Sequence, residues 1–136
     1  MIKDQLLRMM HEDDCGTAVQ AVLDSGLLPF ELRERWQTLV IERMIRSTIQ
    51  QKCGCPDWYR WAYKWLNNLD RSSEAATAAC DLAWGCRLRV GAPDAAEAAL
   101  AASKGDAMGV FEWAFRDYTD AMACHKILLG LIEEKE

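Results

Sequence analysis

The sequence is poor in the residues that break helices and build tight turns, with 3 prolines and 8 glycines among 136 residues. A β-sandwich with many short strands needs more of both. No segment alternates apolar and polar residues over the length of a strand. No window approaches the roughly 20 apolar residues of a membrane span, and the first residues do not begin a secretory signal. We therefore expect a cytoplasmic all-helical protein that does not enter a membrane.

Histidine is also scarce, with 2 in the chain. A cysteine nucleophile needs a base close by, and His11 precedes Cys15 by four residues while His125 follows Cys124 directly. Neither arrangement carries the flanking pattern of a known cysteine enzyme, and no glycine-rich loop suits a phosphate. The sequence therefore predicts a non-enzymatic protein that needs no cofactor.

The 6 cysteines are expected to be reduced thiols in the cytoplasm. Cys53 and Cys55 are the best metal candidates, but one residue separates them and no second pair completes a tetrahedral set. Cys80, Cys86 and Cys124 are expected to be buried and inert. A thiol- or metal-dependent role for Cys53 and Cys55 remains an alternative function.

Apolar residues recur at helical spacing along nearly the whole chain. The fold class we predict is all-α, a compact single-domain bundle of six to eight short helices over residues 1–136. The clearest helix follows Pro29, and its apolar stripe consists of Leu32, Trp36, Leu39, Val40, Met44, Ile45 and Ile49. The alanine-rich segment at 74–88 is expected to be a central helix, because small residues allow neighbouring helices to approach closely.

Helix boundaries are predicted from capping residues. The candidate N-caps are Asp13 or Asp14, Ser72 or Ser73, Asp106, and Thr119 or Asp120. In the second half of the chain, the helices are expected at 57–69, 74–88, 94–103, 107–118 and 120–132.

The segment from Asp57 to Trp65 is the most unusual feature, because it places aromatic and basic residues side by side. Trp58, Trp61 and Trp65 share one helical face, and a neighbouring stripe carries two tyrosines. The three tryptophans either fill the core or anchor a partner protein. Aromatic residues among cations are also typical of proteins that bind single-stranded nucleic acid. Its bases would stack on the aromatic side chains of residues 57–71, and its phosphates would be neutralised by the cations there.

Charge is distributed unevenly along the chain, whose formal net charge is −5. Residues 31–71 contain 8 basic and 5 acidic side chains, whereas residues 94–136 contain 4 basic and 9 acidic ones. The overall acidity makes nucleic acid an unlikely partner. The acidic residues of the second region are candidates for a negative face, namely Asp94, Glu97, Asp106, Glu112, Asp117 and Asp120.

A tryptophan-rich helix runs into Asp70-Arg71-Ser72-Ser73-Glu74-Ala75-Ala76, and an alanine-rich helix with Ala83-Trp84 follows. This segment resembles small alanine- and tryptophan-rich helical proteins of phages and mobile elements, including immunity proteins. The resemblance implies a small inhibitor that acts through its surface and has no catalytic residues.

The function we expect is that of a small acidic protein-binding module, an inhibitor of the anti-defence (for example anti-CRISPR) or immunity type. It would cover a functional surface of a host defence complex or a toxin, and a second copy of the chain is a further candidate partner. The candidate contact residues are Trp58, Tyr59, Arg60, Tyr63, Lys64, Glu112, Asp117 and Asp120.

Overall fold

The computed structural model describes residues 2–12, 14–50, 55–85, 92–115 and 118–134, and these residues form 8 helices and no strand. The helices are α1 (Ile2–Glu12), α2 (Cys15–Asp24), α3 (Phe30–Gln50), α4 (Pro56–Leu66), α5 (Ser73–Gly85), α6 (Ala92–Ser103), α7 (Ala107–Ala114) and α8 (Tyr118–Glu134). The predicted all-α architecture is thereby confirmed.

Capping residues start several helices at the predicted places. Asp14 accepts a hydrogen bond from the backbone N–H of Thr17 at 2.9 Å and begins α2. Asp106 accepts one from Gly109 at 2.9 Å and begins α7. Ser72, and not Ser73, caps α5, because its hydroxyl accepts from the N–H of Ala75 at 3.2 Å. These bonds satisfy N–H groups that the first turn of a helix leaves without a carbonyl partner.

Glycines provide the left-handed backbone where two helices have just ended. Gly26 follows α2 and Gly105 follows α6, each with φ of +73°. That conformation is strained for residues with a Cβ atom but not for glycine. The chain can therefore reverse at these two points at little energetic cost.

Two of the predicted helices end earlier than expected, and α8 begins at Tyr118, ahead of the predicted caps Thr119 and Asp120. The chain leaves α4 after Leu66 and leaves α7 after Ala114, where the sequence predicted helix to 69 and to 118. The α5 helix is described as far as Gly85, so the predicted end at Leu88 lies outside the described residues.

No helix in the described part of the chain is both long and apolar enough to cross a membrane.

The long helix α3 contacts α4, α6, α7 and α8 and joins the two sides of the fold. On one side α1, α2 and α8 pack against one another, and on the other α4 to α7 pack in succession. Because α3 has neighbours on several sides, its buried surface is wider than the predicted stripe. Ile41 is fully buried, whereas Leu39 from that stripe is 37% exposed.

The alanine-rich helix at the centre is α6, which corrects the prediction made for the segment at 74–88. Helix α5 buries only one side, with Ala76, Ala79, Cys80 and Ala83. Helix α6 packs against α3, α5 and α7, and seven of its residues are buried, namely Ala92, Pro93, Asp94, Ala95, Ala96, Ala98 and Ala99. Position in the bundle, and not alanine content, distinguishes the two helices.

A few polar side-chain atoms are buried without a hydrogen-bond partner in the structure. They include both amide atoms of Gln37 and the indole nitrogens of Trp58 and Trp61. By contrast, the indole N–H of Trp36 donates to the Cys124 carbonyl at 3.1 Å. Since an unpaired buried polar group costs about 1–3 kcal/mol, Gln37 is unusual because both its donor and its acceptor are unpaired.

Candidate functional site

Helix α4 places the aromatic segment with a buried face and an exposed face. It begins at Pro56, whose fixed φ and missing N–H suit a first helical turn. The helical period then directs Trp58, Trp61 and Trp65 inward, with exposed fractions of 0%, 7% and 3%. The rings of Trp58 and Trp61 lie 5.5 Å apart at 59°, a tilted arrangement that is favourable for aromatic pairs.

The burial of these tryptophans decides between the two alternatives left by the sequence, because all three belong to the core. Trp58 was a candidate contact residue, and this is corrected. A side chain with no exposed surface cannot touch a partner unless the fold opens. The same burial removes three of the flat aromatic surfaces on which the bases of a nucleic acid could stack.

The exposed face of α4 retains the other four predicted contacts. Arg60, Tyr63 and Lys64 are exposed, and Tyr59 is half-buried with its ring edge against Trp58 at 6.1 Å. Arg60 pairs with the Asp57 carboxylate at 2.9 Å on the surface. An exposed ion pair of this kind contributes little to stability. The Arg60 guanidinium could therefore leave Asp57 and pair with a carboxylate of a partner at small energetic cost.

A groove of about 200 Å³ separates α4 from α5 and extends this exposed face. Arg60, Lys64 and Trp61 line one wall, and the α5 wall is apolar, with three alanines and Leu82. Asp70 also lines the groove. Hydrogen bonds from the Ser72 hydroxyl and backbone lower the pKa of Asp70, so its carboxylate stays ionised.

Large apolar side chains are exposed along the same hairpin, which we define as residues 56–85 and call the α4–α5 hairpin. Tyr63 is 52% exposed, Leu69 74% and Trp84 56%. The indole N–H of Trp84 donates to Glu97 of α6 at 3.3 Å, which orients the ring at the edge of α6. Neither Leu69 nor Trp84 was predicted as a contact: Leu69 is a single apolar residue after α4, and Trp84 was noted only as part of the family resemblance.

The acidic residues of the C-terminal region do not form one free negative face, which corrects that expectation. Asp94 is buried in α6, and Asp106 is engaged as the cap of α7. Asp120 is half-buried and pairs with Arg43 of α3 at 3.0 Å. Glu112 is exposed, whereas Asp117 lies outside the described residues.

Glu112 lines a second, wider groove of about 500 Å³ between α2, α7 and α8. Phe111 and Phe115 lie on this groove with ring centroids 5.6 Å apart, and Phe115 is exposed. Gly16 faces Phe115 so closely that an added Cβ would lie 3.3 Å from the ring. Phe115 was not predicted as a site residue.

The cysteines show no arrangement for metal binding in the part of the chain that the structure describes, where no three potential ligands cluster. Cys55 is half-buried just before α4, and Cys53 lies outside that part. Burial raises the pKa of Cys124 to about 12, and burial together with the Glu97 and Asp81 charges raises the pKa of Cys80 to about 12. Both thiols are therefore protonated and unreactive at neutral pH.

No protein-family model, curated protein or solved structure matches this chain.

Proposed function

We propose that this protein is a non-enzymatic binding module that covers a functional surface of another protein with its α4–α5 hairpin. The observation that carries the proposal is the coincidence of exposed apolar side chains and cations on this hairpin. Tyr63 and Leu69 are exposed beside Arg60 and Lys64. Tyrosine and arginine are the residue types that most often dominate binding energy at protein interfaces.

The chemistry of the hairpin favours a partner surface that combines carboxylates with aliphatic side chains. Among the described residues Lys64 has no carboxylate within 4 Å, although its charge acts on Asp70 of the same groove, and Arg60 is held only by an exposed ion pair. Trp61 lines the groove beside these cations, although its indole N–H is buried. Such complementarity speeds association and disfavours basic partners.

The resemblance of the segment from the aromatic helix to Leu88 supplies the biological setting of this proposal. Proteins of that kind include inhibitors from phages and mobile elements, so the partner we propose is a defence complex or a toxin in the cytoplasm. Occlusion needs a rigid surface, and the three buried tryptophans beneath the exposed face of α4 supply rigidity.

The same observations give less support to the two alternative functions, nucleic-acid binding and a thiol-dependent role. Single-stranded nucleic acid would have to stack on Tyr59 and Tyr63, because the α4 tryptophans are inside. A thiol function would depend on Cys55 together with Cys53, and only Cys55 lies among the described residues.

The test compares capture of proteins from a bacterial lysate by wild type and by the double variant Tyr63→Ala/Lys64→Ala. Both side chains are exposed, so the variant is expected to fold as wild type does. We expect a stoichiometric partner that wild type captures and the variant loses. Titration of the purified partner against both proteins then measures the loss, which we expect to be at least about tenfold in Kd.

The matched control is Phe30→Ala/Lys126→Ala, which also removes an exposed aromatic ring and an exposed cation but lies on α3 and α8. The control should capture the partner as wild type does. Capture that is unaffected by Tyr63→Ala/Lys64→Ala would refute the hairpin as the contact surface. Binding of a labelled single-stranded oligonucleotide that weakens steeply with salt would favour the nucleic-acid function instead.

A further inference from the structure

A cavity of about 220 Å³, which shares no lining residue with the groove between α4 and α5, lies where α3, α6 and the α4–α5 connection meet. It is smaller than the roughly 300–1,000 Å³ of pockets that hold drug-sized ligands, so its ligand is small. Its polar lining is provided by Glu34, Gln37, Thr38, Arg71 and Ser103, and its apolar lining includes Trp65.

Gln37 is the unusual member of this lining. Its side chain is 1% exposed, yet neither its amide oxygen nor its amide nitrogen has a hydrogen-bond partner. An amide that is buried in this way is stable only if something fills its hydrogen bonds, and the cavity is the open space that it borders. Both amide atoms are buried at the cavity wall, so a rotation of the Gln37 side chain is needed to turn a donor and an acceptor toward a molecule in the cavity.

Arg71 is held at the same cavity in a fixed orientation. Its guanidinium carbon lies 4.0 Å from the centre of the Trp65 ring, and its Nε donates to the Trp65 carbonyl at 2.8 Å. Two contacts to one residue fix the plane of the guanidinium. The terminal nitrogens make no hydrogen bond to any of the described residues, and their fork geometry matches a carboxylate.

We propose that this cavity binds a small zwitterionic carboxylate of amino-acid size. The carboxylate pairs with Arg71, a polar group of the ligand bonds with the Gln37 amide, and the ligand ammonium group pairs with Glu34, which is half-buried in the same lining. This site is separate from the exposed face of the hairpin and does not depend on the proposed protein partner. Because Trp65 and Arg71 lie at the end of α4 and in its connection to α5, the ligand would also stiffen the base of that hairpin.

The experiment titrates the isotope-labelled full chain with L-glutamine, succinate and putrescine, and follows side-chain amide signals by NMR. The Gln37 signal is identified by its loss in Gln37→Leu. We expect L-glutamine to shift this signal most, succinate to shift it less, and putrescine, which has no carboxylate, to leave it unchanged. A dipeptide with a free C-terminal carboxylate, compared with its C-terminal amide, distinguishes a free amino acid from the end of a peptide chain.

Two variants separate binding from folding. Gln37→Leu replaces two unpaired polar atoms by apolar ones, so we expect it to abolish binding without lowering Tm. Arg71→Lys keeps the charge but loses the planar fork, and we expect it to weaken binding at least about tenfold. The exposed Arg46→Lys on α3 is the matched control and should bind as wild type does.

The proposal is overturned if neither L-glutamine nor succinate moves the Gln37 signal at about 20 mM, well above a weak Kd of about 1 mM. It is also overturned if binding survives both Gln37→Leu and Arg71→Lys. In either case Gln37 would be a buried amide that is satisfied by solvent alone.

Discussion

Helices α4 and α6 are similar in length, with 11 and 12 residues, yet they enter the core in opposite ways. Helix α4 buries large indole rings on one face and leaves its other face to solvent. Helix α6 buries small methyl groups around most of its circumference, because α3, α5 and α7 approach it closely. A helix with a single buried face retains a surface for binding, whereas a helix that is enclosed by its neighbours serves the fold.

The largest effect is expected where α4 enters the core. Trp58→Ala removes a fully buried indole, and we expect a loss of about 3–5 kcal/mol in the free energy of unfolding. Trp58→Phe should cost less, because it keeps an aromatic ring and the lost indole N–H has no partner. Urea denaturation measures both variants, and equal losses would contradict the proposal that volume is the main contribution of Trp58.

The second test overfills α6. Ala96→Leu adds three carbons at a position with no exposed surface, and we expect a loss of about 1–3 kcal/mol in the free energy of unfolding. The matched control is Ala78→Leu on the exposed side of α5, which should change stability by less than about 0.5 kcal/mol. Thermal denaturation measures both variants. Equal losses of stability would contradict the conclusion that α6 is enclosed by its neighbours and α5 is not.

The third test addresses the exposed face of α4. Tyr63→Ala should change the free energy of unfolding by less than about 0.5 kcal/mol, since half of the side chain is in solvent. Urea denaturation provides the measurement. A loss as large as that of Trp58→Ala would mean that this face is structural and would weaken the proposed function.

The smallest effect on stability is expected at low pH, from the carboxyl group of Asp70 in the connection between α4 and α5. Hydrogen bonds from Ser72 lower the pKa of Asp70 in the folded protein below its value in the unfolded chain. The stabilisation is therefore present above the unfolded pKa and is lost as pH falls through the lower, folded pKa. Asp70→Asn should make stability depend less on pH below about pH 4, and Asp24→Asn, an exposed residue of α2, is the control. A pH profile of Tm that is the same for wild type and Asp70→Asn would contradict this assignment.

Much of the local structure could be predicted from the sequence because its causes are local. Asp14 and Asp106 cap helices through bonds to backbone groups three residues ahead, and Gly26 ends its helix by its own backbone freedom. The separation of Tyr63 and Lys64 from the face of the tryptophans could also be predicted, since the helical period places them on other stripes of α4.

The cavity beside Gln37 could not be found in this way. Its lining comes from α3, α6 and the connection after α4, residues that are distant in the sequence. A glutamine on a helix of mixed charge is ordinary as a sequence feature, and only its burial makes it unusual. The groove at Phe115 was missed for the same reason, because α2, α7 and α8 meet there only in the folded chain.

The sequence by itself determined that this chain is helical, where most of its helices begin, and which side of α4 carries tyrosine and lysine. Those features depend on residues within one or two turns of each other. Only the tertiary structure decided that α6 and not α5 is enclosed, that Leu39 faces solvent while Ile41 is buried, and that Arg71 lies over Trp65 beside Gln37. Helical periodicity specifies which residues share a face, but the neighbours that cover that face are set by how the helices pack.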